Sequence, residues 1–212
     1  MKTRLLSLLL ILISGTAMAN DYKYNEMMTK NIDLVYSAKT VEELQQAVNT
    51  FDRIGNAEKS RWEPFYFASF GNVLLATKES DPARKDAFLD LAKAVLDKAG
   101  AIKGDDSEIV ALEGFILMIR VTVDPATRGQ KYSFMAMQAF EKAIVLNPEN
   151  PRAHALKAQM ELGTARFFKV APIDACATAR KALEKFASYQ PVSPFGPMWG
   201  KGMTEEMLKN CN

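Results

Sequence analysis

The stretch AMQAFEKAIVLNP, from Ala136 to Pro148, carries the pattern that best indicates how this 212-residue chain folds. Ala136, Phe140 and Ala143 follow one another at spacings of four and three residues, so they share one face of a helix. Pro148 cannot continue that helix and therefore ends it. Because an alanine at a helix crossing lets a second backbone approach closely, the stretch predicts a helix packed tightly against a partner helix.

The centre of this stretch recurs along the chain. Phe140 to Ala143 reads apolar, acidic, basic, apolar, and the same order begins at Phe51, Leu96 and Leu183. Successive centres lie 45, 44 and 43 residues apart. Four such centres in nearly constant register indicate a structural repeat of about 44 residues.

A second small residue precedes three of these centres. Gly71, Gly114 and Ala158 lie 21, 22 and 21 residues before Ala92, Ala136 and Ala179, the alanines with which the repeated pattern begins. A glycine inside a helix costs about 1 kcal/mol relative to alanine, so its presence predicts a close helix crossing. The alternative is a helical bundle in which small residues are merely scattered.

The pattern Ala136…Phe140…Ala143…Pro148 resembles the second helix of a tetratricopeptide repeat. This resemblance implies an all-α fold, a right-handed solenoid of about four antiparallel helix pairs. The spacing exceeds the roughly 34 residues of that family, and its first-helix Trp and Tyr are not met, so the chain resembles a divergent, elongated member. The residues predicted to pack the repeats are Gly71, Ala92, Gly114, Ala136, Phe140, Ala143, Pro148, Ala158, Ala179 and Leu183.

The repeats divide the chain into predicted segments. A signal peptide at 1–19 precedes a repeat domain at 20–191 and a capping tail at 192–212. Within the repeat domain, the expected units are 20–56, 57–102, 103–149 and 150–191.

Local signals place several helix ends. Thr40 with Glu43 forms a capping box, and Asp81-Pro82 and Pro151 mark further helix starts. The second helix is expected to end near Ile54, with Gly55-Asn56 as a left-handed cap.

Two further boundaries are expected in the middle of the chain. Gly100 is expected to follow the helix that begins at Pro82. The segment 123–129 is expected to be an inserted loop that lengthens the repeat, braced by Asp124 and Arg128.

The N-terminal segment has the composition of a secretory signal. Lys2 and Arg4 precede an apolar run at 5–13, and Ala17-Met18-Ala19 is a small-x-small site, which predicts cleavage between Ala19 and Asn20. The run is shorter than the roughly 20 apolar residues of a membrane span, although an uncleaved anchor is the alternative. A periplasmic or secreted protein is therefore expected.

The tail is too apolar to be left in water. Phe195, Met198 and Trp199 predict a cap over the last repeat, and the alternative is that the tail occupies the groove of the solenoid itself. Cys176 and Cys211 are predicted to form a disulfide in an oxidising compartment, with two free buried thiols as the alternative.

Composition argues against several functional classes. Loss of Lys2 and Arg4 with the signal takes the formal charge from +2 to about zero, which gives no electrostatic reason to expect nucleic acid. The chain has one histidine, His154, predicted to pack in the core, so multi-histidine metal sites are excluded. Phosphate-loop and nucleophile-elbow motifs are absent from the sequence. We therefore expect a non-enzymatic protein without a cofactor.

The resemblance implies a scaffold that binds a protein or peptide partner in the bacterial cell envelope, in a groove lined by the first helix of each pair. One alternative is a binding protein for a glycan or small ligand, with Trp62, Tyr66 and Trp199 stacking on rings; another is a structural subunit of an envelope complex. The sequence leaves the oligomeric state open. The predicted groove residues are Phe65, Asn72, Glu108, Phe115, Arg152 and Gln159.

Overall fold

The computed structural model describes residues 21–211, except for the side chain at 210. The predicted signal peptide and its cleavage site, Ala19 and Asn20, lie outside these residues. Within them the fold is all-α, a solenoid of four antiparallel helix pairs followed by a short helix and a 3-10 turn, Lys209–Cys211. The helices are α1 (described over 21–37), α2 (Val41–Glu58), α3 (Glu63–Lys78), α4 (Pro82–Lys103), α5 (Ser107–Val121), α6 (Pro125–Leu146), α7 (Pro151–Phe168), α8 (Ile173–Ser188) and α9 (Lys201–Leu208).

Side-chain caps start α2, α4 and α7 at the predicted positions. Thr40 Oγ1 accepts from the Glu43 backbone N–H at 3.1 Å, and the Glu43 carboxylate accepts from the Thr40 N–H at 3.2 Å, which completes the capping box. Asp81 caps α4 ahead of Pro82, and Asn150 caps α7 ahead of Pro151. A cap of this kind stabilises a helix by about 1 kcal/mol.

Two predicted helix ends are wrong, because in both cases the helix continues past its glycine. α2 continues through Gly55 to Glu58 and is capped by Lys59, while α4 continues through Gly100 to Lys103 and is capped by Gly104 at φ 77°. Gly55 is buried against the ring of Phe65, which lies 2.6 Å from where a Cβ would stand. This glycine therefore permits a close contact and does not make a turn.

The predicted loop at 123–129 is also wrong. α6 already begins at Pro125, with Asp124 as its N-cap, because a proline is tolerated in the first helical turn. Arg128 does not brace Asp124; it donates to Asp86 on α4, at 2.7 Å. The extra length of the repeat lies instead in α4 and α6, each of 22 residues.

Small residues lie where the helices approach most closely. A Cβ on Gly71 would overlap the Val48 side chain of α2, and a Cβ on Gly114 would overlap the Phe140 ring of α6. Most of the predicted packing residues are buried, whereas Leu183 is half-buried and Pro148 is exposed just beyond the end of α6. Fully buried members of the set are Ala92, Ala136, Phe140, Ala143, Ala158 and Ala179.

A disulfide fixes the end of the chain to the last repeat. Cys176 in the first turn of α8 is bonded to Cys211, 35 residues later, which confirms the predicted pairing. The bond holds α9 and the 3-10 turn against α8. No helix in residues 21–211 is both long enough and apolar enough to cross a membrane.

Candidate ligand-binding site

The predicted groove is covered by the protein's own tail. The Trp199 ring stacks against Phe70 and Phe115, with ring centroids 4.6 and 5.8 Å apart, and its Nε1–H donates to the Tyr66 hydroxyl at 3.1 Å. Phe115 is therefore buried. The tail has both predicted roles: Trp199 lies against the groove residues, while α9 packs on α7 and α8 of the last helix pair, where Met207 contacts the buried cluster of Ala158 and Ala179.

Two other predicted groove residues form a buried ion pair beneath this segment. Arg152 on α7 donates from Nε and Nη2 to the Glu108 carboxylate on α5, at 2.6 and 2.5 Å. Its guanidinium also lies 4.2 Å from the centre of the Tyr189 ring. Burial disfavours the charged guanidinium, but the hydrogen bonds and charge of Glu108 outweigh it and raise the pKa of Arg152. This pair joins α5 to α7, with Arg152 fully buried and Glu108 partly buried, and Arg152 Nη1 has no hydrogen-bond partner among the described residues.

The other three predicted groove residues have different surroundings. Phe65 is buried, and Asn72 donates its side-chain amide to the Ala68 carbonyl of its own helix at 2.9 Å. Gln159 alone of the six lines an open pocket. The aromatic residues proposed for glycan stacking are also engaged, because Tyr66 is fully buried and Trp62 packs edge-on against it.

The pocket that contains Gln159 lies between the last two helix pairs and α9. Its volume is about 980 Å³, at the upper end of the roughly 300–1,000 Å³ typical of small-molecule sites. Apolar residues form most of its wall, and buried Met118 on α5, Met160 on α7 and Met207 on α9 are among them. Gly129 on α6 and Gly163 on α7 also line it, and neither would bring a Cβ within 4 Å of another residue.

A few polar groups interrupt this apolar wall. Gln159 Oε1 is buried without a hydrogen-bond partner among the described residues. The guanidinium of Arg166 lies at the exposed side of the pocket and makes no ion pair within residues 21–211. Phe167 and Phe168, which are 72% and 66% exposed, also line this exposed side of the pocket, which we call its rim. The described part of the chain therefore offers a large, mostly apolar cavity with two charged lining residues, Arg166 and Glu206, of which Glu206 is paired with Lys209.

Histidine, cysteine and tyrosine are missing from the described residues that line the pocket, which leaves the methionine thioethers as its one type of soft metal ligand. His154 is buried elsewhere on α7, where its Nε2 lies 2.9 Å from the Pro148 carbonyl oxygen. Among residues 21–211, no group of His, Cys, Asp and Glu is arranged to hold a metal ion.

Apart from Gln159, the pocket was not predicted from the sequence. Its walls come from four helices, and no single stretch carries the pattern. Gly129 and Gly163 were the available signal, because each is a helical glycine that no close packing contact requires.

Helix pairs with small residues at their crossings, of which one carries the Ala-Phe-Ala-Pro pattern, define a divergent tetratricopeptide-like repeat protein. The structure is similar to that of the HusA haemophore from Porphyromonas gingivalis, with a TM-score of 0.79 and 28% sequence identity over 89% of this chain and 92% of that one. It is also similar to a thermophilic tetratricopeptide-repeat protein of Thermus thermophilus, with a TM-score of 0.58 and 15% identity over 93% and 94% of the two chains. This second likeness shows the fold alone. No protein-family model matches the chain, and no curated protein sequence matches it significantly.

Proposed function

We propose that this protein binds haem or a closely related tetrapyrrole in the pocket between α5, α6, α7 and α9. The observation that carries the proposal is the pocket itself, which is apolar and large, at about 980 Å³. A haemophore is also the described function of the HusA neighbour. We assign carriage of the ligand and no reaction on it.

The chemistry of the wall suits a flat apolar ring with carboxylate side chains. The apolar faces of Met118, Ile119 and Met160 would cover the ring, since burying apolar area is the main favourable term in such binding. Arg166 at the mouth would pair with a propionate, because guanidinium and carboxylate groups form charge-assisted hydrogen bonds. Methionine would be the ligand if the pocket coordinates the iron.

Export is part of this proposal. The predicted signal at 1–19 would deliver the chain to an oxidising compartment, and the disulfide between Cys176 and Cys211 is typical of one. A protein partner in the groove of the solenoid stays a prediction. Such a partner would have to displace Trp199 from Phe70 and Phe115.

The test is a titration of the purified protein with hemin, followed by the Soret absorption band. A Gly129→Trp, Gly163→Trp variant should fill the pocket, because neither backbone position is crowded. We expect hemin binding to be lost in this variant. Gly202→Trp is the matched control, since Gly202 is an equally open helical glycine that does not line the pocket.

A second variant tests the proposed mouth. Arg166→Gln removes the free cation and should weaken hemin binding by roughly tenfold, the effect of losing one charge-assisted hydrogen bond. Deuteroporphyrin dimethyl ester, which lacks free carboxylates, should bind both proteins equally. Full hemin binding by the pocket-filling variant would refute the proposal, whatever Arg166→Gln does.

A further inference from the structure

The turn between α7 and α8 exposes an unusual amount of apolar surface. We name residues 166–173, Arg-Phe-Phe-Lys-Val-Ala-Pro-Ile, the aromatic turn. Phe167, Phe168, Val170 and Ile173 are 72, 66, 60 and 73% exposed. The two phenylalanine rings pack edge-on against each other, 5.1 Å apart. Contiguous exposed apolar side chains of this kind mark a site of interaction.

Cations are interleaved with these apolar side chains. Arg166 and Lys169 are both exposed, and neither forms an ion pair within the described chain. Lys169 has φ 56°, the left-handed region where glycine is the usual helix cap, so a charged side chain occupies a position that does not favour one. Asp174, just beyond the turn, is the nearest acidic residue in sequence, and 166–174 carries a net charge of +1.

We infer that the aromatic turn binds the surface of an anionic lipid bilayer. Its apolar side chains would enter the boundary between headgroups and acyl chains, and the unpaired cation of Lys169, which does not line the pocket, would meet lipid phosphates, as in other interfacial segments. A lipid surface satisfies the apolar and the positive groups together. Phe167 and Phe168 also belong to the rim of the pocket, so binding in this way would lay the pocket mouth against the membrane.

This inference goes beyond ligand carriage and can be tested separately from it. The experiment is co-sedimentation of the purified protein with vesicles of phosphatidylglycerol and phosphatidylethanolamine, compared with vesicles of phosphatidylcholine alone. Val170→Ser with Ile173→Ser removes two exposed apolar groups that do not line the pocket. We expect the partition coefficient on anionic vesicles to fall by roughly tenfold or more.

The matched control is Val145→Ser with Val192→Ser, at 81% and 97% exposure outside the aromatic turn. It should sediment like the unchanged protein. Lys169→Gly removes the cation at a position that accommodates glycine, and it should weaken binding to anionic vesicles without loss of helix content. Added salt should reduce binding by the unchanged protein more than binding by this variant.

Hemin titration of the Val170→Ser, Ile173→Ser variant separates the two proposals. Unchanged hemin affinity with reduced vesicle binding would support the membrane site. Failure of the unchanged protein to sediment with anionic vesicles would overturn it and leave a protein as the occupant of the turn. An equal loss of vesicle binding in the control variant would overturn it too, because replacing any exposed valine would then weaken vesicle binding.

Discussion

At the scale of single residues, Gly114 shows how one hydrogen atom in place of a methyl group sets a helix distance. Its backbone lies so close to the Phe140 ring that a Cβ would overlap it. We predict that Gly114→Ala lowers the free energy of unfolding by about 1–3 kcal/mol, since the overlap outweighs alanine's better helix propensity. Equilibrium unfolding in urea measures this difference.

Gly100→Ala is the control for that prediction. Gly100 is also helical, but its nearest neighbour to a new Cβ would be Ile109 Cγ2 at an ordinary 3.9 Å. This change should raise the free energy of unfolding by about 0.5–1 kcal/mol. Stabilisation by both substitutions would show that α5 and α6 can move apart, contrary to the packing argument.

His154 gives the fold a predictable pH dependence. Burial lowers the pKa of His154 below its usual 6.5, outweighing its hydrogen bond with the Pro148 carbonyl. The unfolded chain therefore binds this proton more readily than the folded one, so stability present above pH 6.5 is lost as the pH falls through 6.5 toward the folded pKa.

We therefore expect His154→Gln to reduce the loss of stability between about pH 7.5 and about pH 5, measured by urea unfolding. Glutamine keeps an N–H donor for the Pro148 carbonyl but does not titrate. The Glu149 carboxyl does not interfere, because its hydrogen bond with Lys185 lowers its pKa below 4.5. An identical pH profile in the variant would show that His154 does not cause the dependence.

At the scale of an element, α9 owes its position to a covalent bond and also forms one wall of the pocket. The Cys176–Cys211 disulfide closes a loop with a sequence separation of 35, so replacing both cysteines with serine should cost about 3–4 kcal/mol. Because Met203 and Met207 on α9 line the pocket, we expect hemin affinity to fall in the same variant.

Thermal unfolding and hemin titration check this prediction together. The unchanged protein treated with a reductant should behave like the double-serine variant. Lower stability with unchanged hemin affinity would show that α9 keeps its position without the disulfide. The disulfide would then stabilise the fold but not the pocket.

At the scale of the whole molecule, the repeating pattern predicted the fold because every unit had to satisfy the same packing. Gly71 and Gly114 could be predicted as crossings, since a helical glycine followed by a small residue in constant register is typical of closely packed helix pairs. Gly55 and Gly100 could not be interpreted correctly, because a glycine that caps a helix and a glycine that lies inside one look the same in a single sequence.

The pocket could not be predicted for a related reason. Its wall combines residues from α5, α6, α7 and α9, and their proximity depends on how the tail returns along the solenoid. The sequence indicated that the side chains of Phe195 and Trp199 are buried from water. Packing over the last repeat and packing in the groove would both bury them. Distances between distant segments decide such a choice, and a single sequence does not contain them.

The tail also connects repeats that are not neighbours in the solenoid. Repeats in a solenoid contact only their neighbours, which makes their unfolding nearly one-dimensional. Here Ser193 Oγ donates to Glu63 at 2.7 Å across 130 residues, and the Met198 N–H donates to the Tyr36 hydroxyl at 3.1 Å across 162. These contacts bind the first helix pairs to the end of the chain, so the molecule should unfold as one cooperative unit.

Trp199→Ala tests that coupling. Removing this half-buried ring, packed against Phe70 and Phe115, should cost about 2–4 kcal/mol, less than the loss of a fully buried ring. Urea unfolding should become less steep, because the first and last repeats would no longer unfold together. Met198→Ala, in the same segment but 56% exposed, should change stability by less than about 0.5 kcal/mol. A cost for Trp199→Ala as small as that of Met198→Ala, with the transition still steep, would mean that the tail only covers the groove. A peptide could then displace Trp199 from Phe115 at little cost in free energy. The groove would remain a suitable site for the predicted protein partner.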